Sequence, residues 1–315
     1  MNIEDHLKAV LAHGDYRIQR KVKMVDAMSE DPIDNPIKIL VVDTETTGST
    51  DSDVVIENAG ILVEACRDTG RIGRILDVAQ GLEDTDVPIS EGAFKVHGIS
   101  KEMLAGQKID RAHFVSLYNQ ADLVVAHNSA FDRPKIEHFF QDDGLPLDKP
   151  WGCTYKNIGW FDRGYTKSGL EYLVALHGFF HGAHRATDDV MALIYCLSVA
   201  HPEKGYPLMD LMPSVVEPEY MIKTLGTFDF KEQLKTRGYF YTGDDKSWSV
   251  IVQPMDGLNM QESVKNEVRV LRDEVLKDAY GAPKGRVFFG KKPAGRKFTD
   301  SEYEFTELNL ATANV

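Results

Sequence analysis

Cysteine is scarce in this chain. Cys66, Cys153 and Cys196 are the only three among 315 residues; they stand far apart and form no CxxC pair. An odd number at such spacing excludes both a disulfide framework and a thiolate zinc cluster, and fits a reducing compartment. Long apolar runs are missing as well. No stretch reaches the ~18 consecutive apolar residues of a membrane span, and the opening MNIEDHLKAVLAHGDYRIQRK has neither the apolar centre nor the small-residue cleavage site of a secretory leader. The expectation is a soluble, cytoplasmic protein with no membrane partner. The third shortage is positive charge. A formal net charge of -13 is the wrong sign for a protein that holds phosphates by a basic footprint alone.

That shortage is uneven. Residues 223–300 carry 15 Lys and Arg against 11 Asp and Glu, whereas the remainder carries 21 against 38. Sequence-independent attraction to phosphate is therefore expected in the C-terminal part, and the acidic part needs metal ions or local basic spots to hold an anion. A hydrophobic content of 43% with 27% charged residues is that of a globular chain. Its length exceeds what one core usually absorbs, so a main domain with an addition is expected.

Residues 1–36 read as an N-terminal helical extension, with Ile3, Leu7, Val10 and Leu11 on one face and Ile18, Val22 and Val25 on a second short helix. From residue 37 the period changes. The Ile/Leu/Val run at 37–42 reads as a buried strand, and 54–64 and 72–80 as two more. A helix at 111–120, a strand at 123–126 and a helix at 130–141 follow, then a helix begun by Ser168 and Glu171 as a capping box, and another over 189–200. Strands first, then alternating helix and strand, imply a layered α/β domain over 37–202. Pro207, Pro213 and Pro218 mark a linker at 203–225. A small α+β module is expected over 226–300: a helix at 229–236, a hairpin of YFYT and SWSVIV about GDDK, a helix capped by Asn259 and Glu262, and a strand at RVFF. Residues 301–315 read as an unstructured tail. There is no internal repeat and no low-complexity segment.

The first strand ends on Asp43 and Glu45. Residues two apart in a strand share a face, so two carboxylates stand side by side at its C-terminal edge. That placement is repulsive unless a hard divalent cation with oxygen ligands relieves it, and the carboxyl ends of sheet strands are where α/β folds commonly bind ligands. A lone DxE is also an ordinary solvated strand end. Two further segments change the balance: AHNSAFD at 126–132 puts Asp132 in the first turn of a helix, and HRATDD at 184–189 puts an acid at a helix start five residues after His184.

VVDTETTG, VHGIS at 96–100, AHNSAFDRPKIE and HRATDDVMAL, in that order, resemble the motifs of the DEDDh 3′-to-5′ exonuclease superfamily and are similar to those of the proofreading epsilon subunit of bacterial DNA polymerase III. The resemblance covers about residues 37–202. It implies a ribonuclease H-like α/β fold, a mixed sheet flanked by helices, in which Asp43, Glu45, Asp132 and Asp189 hold two divalent cations, Mg²⁺ or Mn²⁺, and His184 is the general base. It also implies that Thr46, Thr47 and Gly48 meet the terminal nucleotide and that His97 and Asn128 line the substrate cleft. The family spacing selects Asp189 over Asp188, and helical phase agrees, since 189, 193 and 197 form one inward stripe. Asp188, about 100° away, reads as a solvated or capping acid. His127, His138, His177, His181 and His201 fit no motif and read as structural or exposed.

The physics is consistent with that implication. Paired cations clamp the attacking and leaving oxygens of a displacement at phosphorus, and a neutral imidazole titrating near ~6.5 suits proton removal from water. The implied partner is a nucleic acid with a free 3′ end, DNA before RNA, single-stranded or frayed so that one end reaches the cations, and the products are 5′-mononucleotides. The same chemistry on RNA is the nearest alternative, because nothing in the sequence reads the 2′-hydroxyl. A non-catalytic end-binding or polymerase-accessory subunit is an alternative of another class; all five catalytic positions are filled, which argues against it, and no Gln-plus-Leu/Phe clamp-binding segment is found. In the C-terminal module, FKEQLKTRGYFYTGDDKSW weakly resembles a small Lys/Arg and aromatic module that follows some bacterial and phage exonuclease domains. Tyr239, Tyr241 and Trp248 beside Lys235, Arg237 and Lys246 would either stack bases along a single strand or form core.

Overall fold

A computed structural model describes residues 2–255, 258–299 and 302–310, and the chain divides into two compact units, Met1–Val216 and Glu217–Val315. Among the described residues no helix is long and apolar enough to cross a membrane.

The N-terminal unit opens with α1 (Ile3–His13), held at its start by an Asn2/Asp5 capping box and burying none of its residues. Then come β1 (Arg20–Lys21), β2 (Pro36–Thr46), β3 (Val55–Cys66), β4 (Ile72–Leu82), α2 (Glu91–His97), α3 (Lys101–Leu104), α4 (Arg111–Gln120), β5 (Leu123–Ala126), α5 (Ser129–Phe139), β6 (Trp151–Cys153), α6 (Thr154–Asn157), α7 (Leu170–Leu176), β7 (Phe179–Phe180), α8 (Ala186–Leu197) and α9 (Leu208–Val216). The main sheet has the order β4-β3-β2-β5-β6. Its first three strands are antiparallel neighbours, and β5 and β6 join them in parallel. This mixed sheet flanked by helices is a ribonuclease H-like fold.

Strand alternation sorts its two faces. Ile39 and Val41 of β2 and Ala59, Ile61 and Val63 of β3 share a core with Val190, Leu193, Ile194 and Leu197 of α8. On the other face Leu40 and Gly60 meet Phe114 of α4, so closely that a Cβ on Gly60 would stand 2.9 Å from the Phe114 ring. The chain leaves β2 toward β3 and β4 on one side and returns on the other side as β5, so β2 and β5 flank a switch point of the sheet.

The C-terminal unit comprises β8 (Glu219–Leu225), α10 (Lys231–Thr236), β9 (Phe240–Thr242), β10 (Ser247–Ile251), α11 (Met260–Val270), β11 (Arg286–Lys292) and β12 (Glu304–Leu308). Its sheet runs β12-β11-β8-β10-β9 and is antiparallel throughout. Along β8 the buried residues alternate as Tyr220, Ile222 and Thr224, and Ile222 joins Leu234, Tyr239, Trp248, Val264, Val268 and Val287 in one core.

Five sequence expectations need correction. The segment taken for a linker contains α9 and β8: Leu208, Leu211 and Val215 form a buried helical stripe despite Pro213 inside the helix, and Pro218 sits just ahead of β8, where a strand tolerates it. The expected tail contains β12, which pairs with β11 from Val287↔Leu308 to Lys291↔Glu304. Residues 18–25 are not helical: Arg20 N–H donates to Gly178 O at 2.9 Å and Val22 N–H to Phe180 O at 2.8 Å, a parallel pairing of β1 with β7. Ser168 and Glu171 form no capping box, because α7 starts at Leu170 with Gly169 as its N-cap and no side-chain cap. The last expectation concerns α8, which begins at Ala186 and so places Asp189 within its first turn.

Candidate active site

Asp43 and Glu45 continue the row of Ile39 and Val41, so both carboxylates emerge on the α8 side of the sheet. Pairing between β2 and β5 ends at Val41↔Val125. Beyond that point the backbone of β2 is open on the β5 side, and α5 delivers Asp132 there: its Oδ1 accepts from Thr44 N–H at 3.1 Å and from Thr44 Oγ1 at 2.9 Å. Asp189 arrives from the first turn of α8. Its Oδ2 accepts the backbone N–H of His184 at 2.8 Å, and its Oδ1 lies 2.7 Å from His181 Nε2. One potential ligand atom each from Glu45, His184 and Asp189 lies within 4.8 Å of the other two. All four acids and His184 line one cleft of about 450 Å³, with Asn128, Phe131 and Tyr172 also on its walls.

The electrostatics are those of acids short of counter-charge. Burial raises the Asp43 carboxyl well above its ordinary range, helped by Asp132, Asp189, Glu45 and Glu57. Burial, then Asp189, Glu57 and Asp132, push Glu45 up to about 8, with Arg185 opposing. Asp132 is pushed up to about 7 by burial, against the two hydrogen bonds from Thr44. Among the described residues none of the four acids is paired with lysine or arginine. A set of carboxylate oxygens with one imidazole and an unmet demand for positive charge fits a hard divalent cation. Two residues of the cleft also carry backbone strain: Asn128 has φ 135° and His184 φ 66°, a conformation that costs free energy and clusters at functional sites.

The other sequence candidates are placed less uniformly. Asn128 lines the cleft. Thr46, Thr47, Gly48 and His97 do not: Thr46 Oγ1 donates to Gly48 O at 2.5 Å, Thr47 Oγ1 donates to Asp53 Oδ1 at 2.9 Å, and buried His97 accepts Ile99 N–H on Nδ1 at 2.9 Å. Gly48 lies against the Asp53 carboxylate, which a Cβ there would approach to 2.6 Å and displace. Asp188 is exposed and lines a separate depression with Gln80 and Thr187.

Four residues of this site escaped the sequence reading. His181, taken as structural or exposed, has a side chain only 4% exposed and holds Asp189. His127, also set aside, lines the cleft; its Nδ1 is 2.9 Å from Thr154 Oγ1, and burial lowers its pKa to about 4, so it is a neutral wall residue. Glu57 and Arg185 form the third feature. Arg185 donates to Glu57 Oε1 through Nε at 3.1 Å and through a terminal nitrogen at 2.8 Å, while Glu57 Oε2 accepts the backbone N–H of Ala186 at 3.1 Å. A carboxylate from β3 thus caps α8 between His184 and Asp189. The available signal was Glu57 within the apolar strand VVIENAGILVEA and an arginine next to the motif histidine.

The sheet order and an acidic cleft at the switch point define the class, a ribonuclease H-like hydrolase. The family model described as RNase_T, Exonuclease, matches residues 40–197, just over half of the chain. The chain belongs to this exonuclease family and is of the DEDDh, 3′-to-5′ type, whose members normally use divalent cations. Among solved structures it is similar to Exonuclease X in complex with 5′ overhanging duplex DNA, with 26% identity over 51% of this chain and 89% of that one and a TM-score of 0.37. The zinc-bound E. coli ExoI–ssDNA complex matches at 15% identity over 87% of this chain and 65% of that one, with a TM-score of 0.46. A 3′-exonuclease bound to a histone mRNA stem-loop matches at 14% identity, 61% and 68% coverage and a TM-score of 0.41. These matches do not show a specific likeness to the epsilon proofreading subunit. None of the curated proteins compared with the chain matches it.

Proposed function

We propose that the cleft hydrolyses phosphodiester bonds at the 3′ ends of DNA, single-stranded or frayed, and releases 5′-mononucleotides. The observation that carries this reading is the convergence of Asp43, Glu45, Asp132 and Asp189, from three separate segments, on one cleft with His184. These four acids would hold two divalent cations, Mg²⁺ or Mn²⁺. When bound, the cations supply Lewis acidity at the scissile phosphate and lower the pKa of the attacking water.

The chain's own residues do the rest. Thr44 fixes the Asp132 carboxylate through two hydrogen bonds. His181 and the backbone of His184 fix both oxygens of Asp189, so the ligand set is oriented before a cation enters. The side chain of His184 is 47% exposed and its Nε2 stands 3.7 Å from Glu171 Oε1. From this position at the cleft mouth a ring nitrogen of His184 takes a proton from the attacking water. Asn128, on the cleft wall with its backbone at positive φ, would contact the bound strand. Thr46, Thr47, Gly48 and His97 are proposed to act on the strand through the loop they brace.

The test offers 5′-labelled single-stranded, 3′-tailed and blunt oligonucleotides of DNA and RNA with Mg²⁺, Mn²⁺ or chelator. Mononucleotide ladders that shorten from the 3′ end and vanish with chelator are expected, faster on DNA. Faster trimming of RNA would move the substrate to the other polymer, and cleavage that persists in chelator would remove the cation-dependent reading.

A further inference from the structure

The C-terminal unit presents only part of the surface that its sequence suggests: Tyr241, Lys235 and Lys246 are exposed, the other two aromatics are not. Tyr239 and Trp248 are core residues, each 3% exposed, the Tyr239 hydroxyl donates to Glu267, and Arg237 is paired with the same glutamate. A different feature of the unit is open. Between α11 and the sheet lies a groove of about 250 Å³ lined by Tyr220, Gln261, Val264, Lys265, Phe289 and Lys291. Gln261, Val264 and Lys265 share one face of α11 by the i, i+3, i+4 rule. Tyr220 and Lys291 are direct partners across β8 and β11, and Phe289 follows two residues before Lys291 on the same face.

The chemistry of this groove is specific. Its floor is a pair of nearly parallel aromatic rings, Tyr220 and Phe289, with centroids 5.5 Å apart and planes 21° apart. Its rim carries two exposed lysines, and among the described residues no carboxylate lines it. In the same unit Lys223, Lys284, Arg286 and Arg237 are each paired with an acid, whereas among the described residues Lys265 and Lys291 have no acid within ion-pair distance. The acid nearest by register is Glu304, opposite Lys291 on β12.

We propose that this groove binds one nucleotide of a single nucleic-acid strand, a base against the half-buried Phe289 ring, which Tyr220 backs from below, and the flanking phosphates at Lys265 and Lys291, with Gln261 available to a polar edge of the base. A free phosphate would need no aromatic floor, and an acidic peptide would bring no flat ring to it. The aromatic floor with a cationic rim is the arrangement by which strands are held without regard to sequence. The choice of a nucleic acid over other flat anions rests on the nuclease reading of the N-terminal unit.

Fluorescence anisotropy of the full chain with labelled dT20 and rU20 in chelator, over a salt series, tests the site apart from catalysis. The doubly substituted K265E/K291E chain is expected to bind both polymers about tenfold more weakly and to lose about 1.4 from the slope of log affinity against log salt, two phosphate contacts on a single strand. Phe289→Leu, which keeps an apolar side chain at this half-buried position, is expected to weaken binding about fivefold or more. A folded K265E/K291E chain with unchanged Kd and unchanged slope overturns the proposal. Failure of the wild-type chain to shorten these strands in Mn²⁺ would instead overturn the nuclease reading, so the two failures are distinguishable.

Discussion

In the C-terminal unit, Asp229, Asp245, Asp273 and Glu307 each lie beside a base, respectively Lys284, Lys223, Arg272 and Arg286, whose hydrogen bond and charge hold the carboxyl below its ordinary range. In the N-terminal unit, half-buried Asp43 and Glu45 and buried Asp132 stand together, among the described residues without any such partner, and are pushed the other way. Identical side-chain chemistry is thus used for two ends. A surface pair adds little to stability and asks nothing of the rest of the fold. A buried, unpaired group of acids works against folding and persists where a cation is to be held. The acids that lower stability are the ones to which function is ascribed.

The sharpest way to break this contrast is to remove a buried acid. Asp43→Asn and Asp132→Asn are expected to lower kcat by more than the about 10- to 100-fold that losing an outer-shell partner costs. Asp43→Asn should also melt higher than the wild type in chelator at pH 8.5, because the cost of burying a charge beside Asp132, Asp189 and Glu45 is removed. A fall in both activity and chelated melting temperature would contradict the contrast. His184→Ala should cost about 10² to 10⁴ in kcat while leaving cation-induced stabilisation largely intact, since a general base is lost and the four acids are not. Glu57→Gln keeps the shape of the α8 cap but loses the charge facing Arg185, and about 10- to 100-fold in kcat or in Mn²⁺ affinity is expected.

The contrast also has a pH signature. Glu45 titrates near 8 in the folded chain and near 4.5 without its surroundings. Between those values the folded state holds more protons than the unfolded state, so the stability of the chelated protein falls as pH rises from about 5 to about 8 and changes little above. Mg²⁺ or Mn²⁺ is therefore expected to raise the melting temperature by about 3 °C or more at pH 8.5 and by less at pH 6, read by scanning fluorimetry. The smallest effect belongs to the other unit: Arg286→Gln, which breaks the exposed pair with Glu307, should leave melting temperature and strand cleavage within error.

What could be read in the sequence follows from geometry that is local. Period two puts Asp43 beside Glu45, the short strand LVVA fixes where α5 begins and so where Asp132 sits, and helical phase separates Asp189 from Asp188. What could not be read depends on partners far along the chain. β12 is an exposed edge strand whose order comes from hydrogen bonds to β11, which composition does not report. The role of Glu57 requires α8 to arrive 129 residues later. His181 lies three residues before the motif histidine on no repeating pattern, and only the folded loop brings it to Asp189. The hairpin aromatics Tyr239 and Trp248 alternate as a binding surface would, yet α10 and α11 cover them, and no local pattern separates those outcomes.

The pairing of β1 with β7 bears on how the molecule can be cut. Arg20 and Val22 tie down the backbone at Gly178 and Phe180, immediately ahead of the segment that carries His181 and His184. A shortened chain starting at Pro36, which would retain the whole region matched by the family model, would strip that segment of its neighbour. Limited proteolysis of such a product is expected to nick between Leu176 and Arg185, so any minimal version of the enzyme should keep the leading strap from Ile18 onward.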